Sequence, residues 1–268
     1  MSSLPTSEPS ASVGPDRLTQ NLLTLLRTPT EVPAGAHELH PGDARIVSAV
    51  EEVVVPRIAE LGPDELRRHP DGDVVARFGP AGDDGLLLQT YIVSQHGNLM
   101  SEPHDARVED GGPYGIAGPV ARGQGANQNK GPMAAALSAV AQRPATLRRP
   151  VLLTVNTEGR SHDGSRRIID EVGTRAAAGV LAFATDLKVS VANRGRVDVQ
   201  VVVPGSSCHS SQPHLGVNPI ERAADVVHAL RSTPLPMPHP DLGPATATPY
   251  QLSFSPVAPT PSRSKDAC

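Results

Sequence analysis

The sequence predicts an α/β protein: a mixed, partly parallel sheet flanked by helices, followed by a smaller α+β portion with one open sheet face. Three observations predict it. A strand, a long loop, an alanine-rich helix and a second strand follow one another over residues 85–158, the spacing of a βαβ crossover, so those strands lie parallel. The segment RRPVLLTVNTE is a strongly apolar strand closing that unit. After Leu187 the pattern changes to valines alternating with polar residues, as in half-exposed strands.

Each element has its own signal. Residues 1–16 are rich in Ser and Pro and aperiodic, and are expected to form a disordered arm. Leu18, Leu22, Leu25 and Leu26 share one helical face, with Asp16 as N-cap and Pro29 as terminator. A second helix is expected from Pro41 to Leu61, with Ile46, Val50, Val53, Val54 and Ile58 on one face and a kink at Pro56. VVARFG and GLLLQTYIVS read as strands about the turn PAGDDG, and residues 97–131 as a site-bearing loop. PMAAALSAVAQ is a helix with Pro132 at its first position. The apolar strand RRPVLLTVNTE, the helix DGSRRIIDEVG and a further buried strand AGVLAFATD follow. These make a first domain over 17–187. A second, over 188–259, combines the alternating segments KVSVANRGRVDVQVVVPG and TPYQLSFSPV with the amphipathic helix NPIERAADVVHALRS. Residues 260–268 form a polar tail without periodicity.

Composition excludes several classes. Twenty-four Lys and Arg stand against 28 Asp and Glu in 268 residues, a net charge of −4, so neither nucleic acid nor an anionic membrane surface is an expected partner. No apolar run approaches the about 20 residues that span a bilayer, and the opening MSSLPTSEPSASVGPD lacks the pattern of a secretory signal. Two cysteines make no disulfide framework, and a cytoplasmic location is expected. Aromatics are only 2% of residues, so the core must be built from small aliphatics.

The most informative string is GQGANQNKGPMAAALSAV. Asn129 before Lys130 excludes a Walker loop, and Gln128 stands where a dinucleotide fingerprint needs its third glycine. The string instead resembles the Gly-Arg-Gly-x-x-Asp-x-Lys-Gly segment of the dizinc amidohydrolase family, with Gly123, Gly125, Lys130 and Gly131 on matching positions. That family contains acetylornithine deacetylase, succinyl-diaminopimelate desuccinylase, aminoacylase and glutamate carboxypeptidase. Other matches follow in order. LLTLLRTPT is similar to the opening helix, GLLLQTYIVSQHGN to the strand ending in Gly-His-x-Asp, and VLLTVNTEGRSHDGSRRII to the strand before a Glu-Glu pair. Gly205, His209, Ser210, Pro213, Gly216, Asn218 and Ile220 fit the lid signature.

The resemblance implies a hydrolase of N-acyl or peptide amide bonds. Its cofactor would be zinc, or cobalt or manganese, and its substrate a small N-acyl amino acid or peptide. It also implies a homodimer formed through a lid of ferredoxin-like β-α-β-β-α-β type, of which the first half is present. The implied metal ligands are His96, Gln128 and Asp186, and the implied catalytic groups are Glu158 and His209. Asn218 is assigned to substrate binding and to the turn entering the lid helix. Several positions depart from the pattern. Gln128 replaces the bridging aspartate, and a neutral amide is a weaker ligand for two dications. In the simplest register Tyr91 takes the first histidine position and Val93 that of its supporting aspartate; a shifted register makes His96-Gly97-Asn98 the counterpart. The Glu-Glu pair becomes Thr157-Glu158-Gly159, so Glu158 serves either as base or as ligand.

Plainer readings stand beside these. Glu158 and Asp186 suit loop carboxylates bonded to backbone amides, His209 a solvated histidine capping a serine turn, and His162-Asp163 ordinary loop polarity. Cys208 and His209, adjacent in extended chain, point apart and make no thiolate–imidazole pair. The polar tail, where the resemblance leads one to expect a strand, predicts a truncated or frame-shifted product with impaired chemistry. The alternative function is a catalytically inactive homologue serving as a binding or dimerisation module.

Overall fold

The computed structural model describes residues 15–33, 39–40, 42–95, 100–157, 163–172 and 176–253. The chain divides into two compact units, Met1–Lys188 and Val189–Cys268.

Helix α1 spans Pro15–Leu26. Proline is tolerated at its start because the first N–H groups of a helix have no partner inside it. The helix therefore begins one residue before Asp16, the expected N-cap position. Leu25 and Leu26 are fully buried, whereas Leu18 faces solvent. The next helix is composite: α2 (Ala44–Ala49), a π-helical turn over Val50–Val54, and α3 (Val55–Ala59). The Asp43 side chain caps it, accepting from the Arg45 N–H at 3.0 Å. Pro56 has no N–H to bond four residues back, and the turn before it opens to the wider π pattern. Val50, Val54 and Ile58 nevertheless stay on one fully buried face.

The sheet has the order β1-β2-β6-β3-β7, with β1 Glu65–Arg68, β2 Val74–Phe78, β3 Gly85–Tyr91, β6 Val151–Asn156 and β7 Ala176–Leu181. β1–β2 and β2–β6 are antiparallel, whereas β6–β3 and β3–β7 are parallel. The crossover from β3 to β6 runs through helix α4 (Gly131–Ala141), as the spacing predicts. One face of the sheet, with Val74, Ala76, Phe78, Leu153 and Val155, packs with residues of α1, the composite helix and α4 in the main core. The other face, with Val75, Leu87 and Leu152, receives Ile168 and Val172 of α5 (Asp163–Val172). Alternate strand residues thus enter two separate apolar layers.

Four local expectations are corrected. β7 is not a buried strand: it lies at the sheet edge and five of its six residues are exposed, because it pairs only with β3 and the main cores lie elsewhere. β1 carries no apolar alternation and escapes a reading based on periodicity. Residues 97–131 are more than loop, since β4 (Arg107–Asp110) and β5 (Pro119–Arg122) form an antiparallel hairpin. Salt bridges from Arg107 to Glu102, Asp105 and Glu109 accompany it, chemistry that leaves no apolar signature.

The fourth correction concerns the second unit. Its helix α6 (Pro219–Ser232) forms as expected, but residues 188–205 and 248–253 are not strands. Val189, Val191 and Val197 are 90%, 93% and 86% exposed. An alternating segment becomes a strand only when a neighbour completes its hydrogen-bond ladder. Among the described residues of this unit the ladders are limited to single bridges, Ser206↔Val217 and His239↔Gly243. Residues 254–257 of the second predicted strand, the tail and most of the N-terminal arm lie outside the described residues. No described helix is long and apolar enough to cross a membrane.

Candidate functional site

Parallel strands deliver their following loops to one edge, and in α/β sheets that carboxyl edge is where sites are built. Tyr91 ends β3 and pairs in register with Asn156, which ends β6. Between them in sequence, a second π-helical turn, Ala126–Lys130, leads into α4. Gly125 precedes it at φ +85°, and a Cβ there would stand 2.6 Å from Ser94 Oγ and 2.7 Å from Asn129 Oδ1. Only glycine fits this approach of the turn to the β3 exit.

The three residues closing the turn reach three places. The Gln128 Oε1 accepts from the Gln95 N–H at 3.2 Å. Asn129, buried, donates to the Ile92 carbonyl at 2.7 Å and accepts from Ser94 Oγ at 3.3 Å. The fully buried Lys130 donates from Nζ to the Thr28 carbonyl at 2.7 Å, just beyond the end of α1. Burial pushes the Lys130 ammonium down to about 8, against the opposing pull of Glu31. Burial likewise pushes the Tyr91 phenol up to about 12, with Gln128 acting in the opposite sense.

Two further groups support this edge. Glu31 accepts from or pairs with His104 Nε2 at 3.3 Å, while His104 Nδ1 lies 3.3 Å from the Leu26 carbonyl. Burial raises the Glu31 carboxyl, but its own backbone N–H, His104 and Lys130 outweigh that and hold it below the usual range. At the β6 exit, the fully buried Asp73 accepts from Thr157 N and Oγ1, both at 2.8 Å, and from Arg167 Nη2 at 2.6 Å. Asp71 also pairs with Arg167. Asn156 Nδ2 and Gln89 Nε2 both donate to Ser165 Oγ, at 3.4 and 3.2 Å.

Among the residues singled out by sequence, Gln128 and Tyr91 are brought together. Asp186 follows β7, is exposed, and holds a positive φ of 54°. Phe183, three residues before it, stacks on Tyr91 with ring centroids 6.0 Å apart. His96, Glu158 and His162 lie outside the described residues. In the second unit, the exposed His209 Nδ1 stands 2.8 Å from Ser211 Oγ and accepts from the Ser211 N–H at 3.2 Å. Cys208 Sγ approaches the Pro213 carbonyl at 3.8 Å and not the imidazole. Asn218 caps α6: Oδ1 accepts from Ile220 N at 3.0 Å and Nδ2 donates to Glu221 Oε1 at 3.2 Å.

Ser94, Gln95, Asn129, Asp73 and Arg167 were not marked by sequence. The polar residues ending TYIVSQ and the Asn beside Lys130 were the available signals for the first three. Asp73 and Arg167 are 94 residues apart and carry none.

The donors in view do not fit a pair of dications. Gln128 is neutral and its Oε1 already accepts from the Gln95 N–H, and Asp186 is exposed. Among the described residues no three His, Cys, Asp or Glu side chains gather into a group able to hold a metal ion.

This chain is similar to several known proteins. Residues 191–261 match the model of the peptidase dimerisation domain of the M20 family. The chain is 30% identical over 203 residues to a succinyl-diaminopimelate desuccinylase of Acidiphilium cryptum, covering 72% of this chain and 51% of that protein. It is 29% identical over 154 residues to an acetylornithine deacetylase of Pasteurella multocida, covering 56% of this chain and 38% of the relative. The chain thus spans about half the length, or less, of these curated relatives. Human carnosine dipeptidase 1 superposes on 63% of this chain and 38% of its own, at 15% identity and a TM-score of 0.49. With the dimerisation-domain match in its second unit and desuccinylase and deacetylase relatives spanning most of its length, this chain belongs to the M20 family of metallopeptidases and amidohydrolases.

Proposed function

We propose that this protein is a hydrolase of N-acyl or peptide amide bonds whose hydrolytic centre is impaired in this chain. The observation that carries the reading is the 30% identity over 203 residues to a desuccinylase. The substrate class is a small N-acylated amino acid or peptide, as the names of the desuccinylase and deacetylase relatives suggest. The cofactor is zinc, cobalt or manganese. Because the described donors do not complete a shell, loading depends on His96 and Glu158 outside them, and affinity is low.

His209 serves the reaction as a donor to developing charge on the substrate oxygen, a preorganised electrostatic role. Its exposed imidazole, held at Nδ1 by Ser211, leaves Nε2 to face a substrate. The second unit mediates a homodimer. Its match to a dimerisation domain and the exposed valines of residues 189–202 support that assignment. The exposed free thiol of Cys208 suits a reducing compartment, in keeping with a cytoplasmic enzyme.

The test is hydrolysis of a panel of N-acyl amino acids and dipeptides with millimolar zinc, cobalt or manganese. Metal-stimulated turnover is expected, well below the median of about 10 s⁻¹ for enzymes. His209→Ala should lower it further without changing metal content. A second reading has its own support in Gln128, a neutral amide where the resemblance expects the bridging aspartate: an inactive homologue retained as a dimerising module. Folded, dimeric protein with no turnover on any substrate at any metal concentration would establish that reading in place of the first.

A further inference from the structure

The β4–β5 hairpin is closed at its base, where the Gln124 N–H donates to the Pro103 carbonyl at 2.7 Å. His104 stands at that base, and its two ring nitrogens meet two different anchors. Nδ1 lies 3.3 Å from the carbonyl of Leu26, the last residue of α1, and Nε2 lies 3.3 Å from Glu31 Oε1. The backbone around Glu31 is in turn fixed to the β3 exit: Ser94 N donates to the Thr30 carbonyl and Val32 N to the Ser94 carbonyl, both at 3.0 Å. Arg27 adds a tie beside the ring, donating from Nη2 to the Ala106 carbonyl at 3.4 Å.

Both anchors are acceptors. A backbone carbonyl has no hydrogen to give, and neither has an ionised carboxylate. Neutral imidazole carries one N–H, so it satisfies one oxygen and sets a bare lone pair against the other; imidazolium donates to both. Either the carboxyl or the ring must supply the second hydrogen. Burial works to raise the Glu31 carboxyl, but its own backbone N–H, His104 and Lys130 hold it below the usual range, so the hydrogen sits on the ring. The place suits a cation as well, because the Leu26 carbonyl belongs to the last turn of α1, where carbonyls lack helical donors and the helix dipole is negative.

We infer that His104 is a proton-operated clamp, which holds the hairpin base to both α1 and Glu31 while its two ring nitrogens carry hydrogen and releases one anchor when the ring gives up a proton. The closed clamp binds one proton more than the released one. The tie is therefore complete at lower pH and weakens as pH rises through the titration of the ring; it fails again at acid pH, once Glu31 is protonated. The charged groups around the ring are Arg27, Glu31 and Lys130, with Glu102 and Asp105 on its own segment paired to Arg107. Because the Gln124 side chain also donates to the Gln95 carbonyl, the hairpin base adjoins the candidate site, and release loosens that approach whether or not the chain hydrolyses anything.

Amide hydrogen exchange of the full chain, read by mass spectrometry and corrected for the chemical rate, tests the clamp at about pH 6 and about pH 8.5, on either side of the ordinary histidine range. Relative to α4, amides of residues 105–124 should lose about 3- to 10-fold in protection at the higher pH, the size of a charge-assisted bond at a partly exposed helix end. His104→Gln, which cannot titrate, should abolish that loss. Lys130, pushed down to about 8 by burial, titrates in the same range, but the variant retains it, so the comparison isolates the ring. Wild-type protection that does not fall overturns the clamp. An equal fall in His104→Gln assigns the effect to another group and overturns it too. If His104→Gln does not fold, Glu31→Ala decides: with one anchor gone the loss should shrink, and an undiminished loss refutes the inference. Absent turnover would end the hydrolase reading and leave these outcomes untouched.

Discussion

Replacing Asp73 with asparagine tests how the β6 exit is held. The wild-type carboxylate is fully buried and accepts three hydrogen bonds, two from Thr157 at 2.8 Å and one from Arg167 at 2.6 Å. Asparagine keeps the shape but turns an N–H₂ group toward at least one of these donors and removes the charge opposite Arg167. Hydrogen bonds to a charged group contribute about 1.5–3 kcal/mol each, and breaking a buried pair costs about 3–5 kcal/mol. The Arg167 side chain is 37% exposed and also reaches Asp71, so its share is discounted for solvent. The expected loss is about 2–4 kcal/mol, a fall in Tm of roughly 4–16 °C for a unit of this size. Urea unfolding followed by circular dichroism at 222 nm measures it. A change below about 0.5 kcal/mol, the range of ordinary surface substitutions, would show that the bonding around Asp73 does not hold the strand end.

Other expectations are as direct. Gly125→Ala should destabilise by about 1–3 kcal/mol, since its φ of +85° and the 2.6 Å approach to Ser94 Oγ leave no room for a methyl; unfolding midpoints unchanged from wild type would contradict it. Glu31 is held below the usual range when folded, so its contribution is present above the ordinary glutamate range and lost as pH falls through its lowered folded value. Glu31→Gln should therefore flatten the acid loss of stability measured by urea midpoints, and parallel curves for the two proteins would sink the assignment. Asn218→Ala removes the cap of α6 and should cost about 1 kcal/mol, read by the helical signal on mild heating, with Asn218→Asp restoring most of it.

How much of this was legible depended on which force wrote each element. The crossover from β3 through α4 to β6 follows from apolar spacing, and the structure pairs those strands in parallel. The kink near Pro56 was legible because proline lacks a donor, although its form, a π turn and not a break, was not. The β4–β5 hairpin was missed because ion pairs around Arg107 leave no periodic trace. The valines of 189–202 alternate as strands do, but alternation reports what a segment can do with a partner, and here no described partner completes the ladder. At the candidate site, Gln128 was legible as an oddity, but its bond to the Gln95 N–H was not, since 33 residues and a π turn separate them. Asp73 and Arg167 meet only through the tertiary fold.

The π turn at 126–130 sends three successive side chains to three different anchors: Gln128 to the backbone beyond β3, Asn129 under that strand's exit, and Lys130 to the end of α1. Consecutive residues of a helical turn point in different directions, so removing one position would redirect every anchor downstream at once. Swapping a single side chain disturbs one tether and spares the other two. A substitution here can spare two of the three anchors, whereas an insertion or deletion shifts them together.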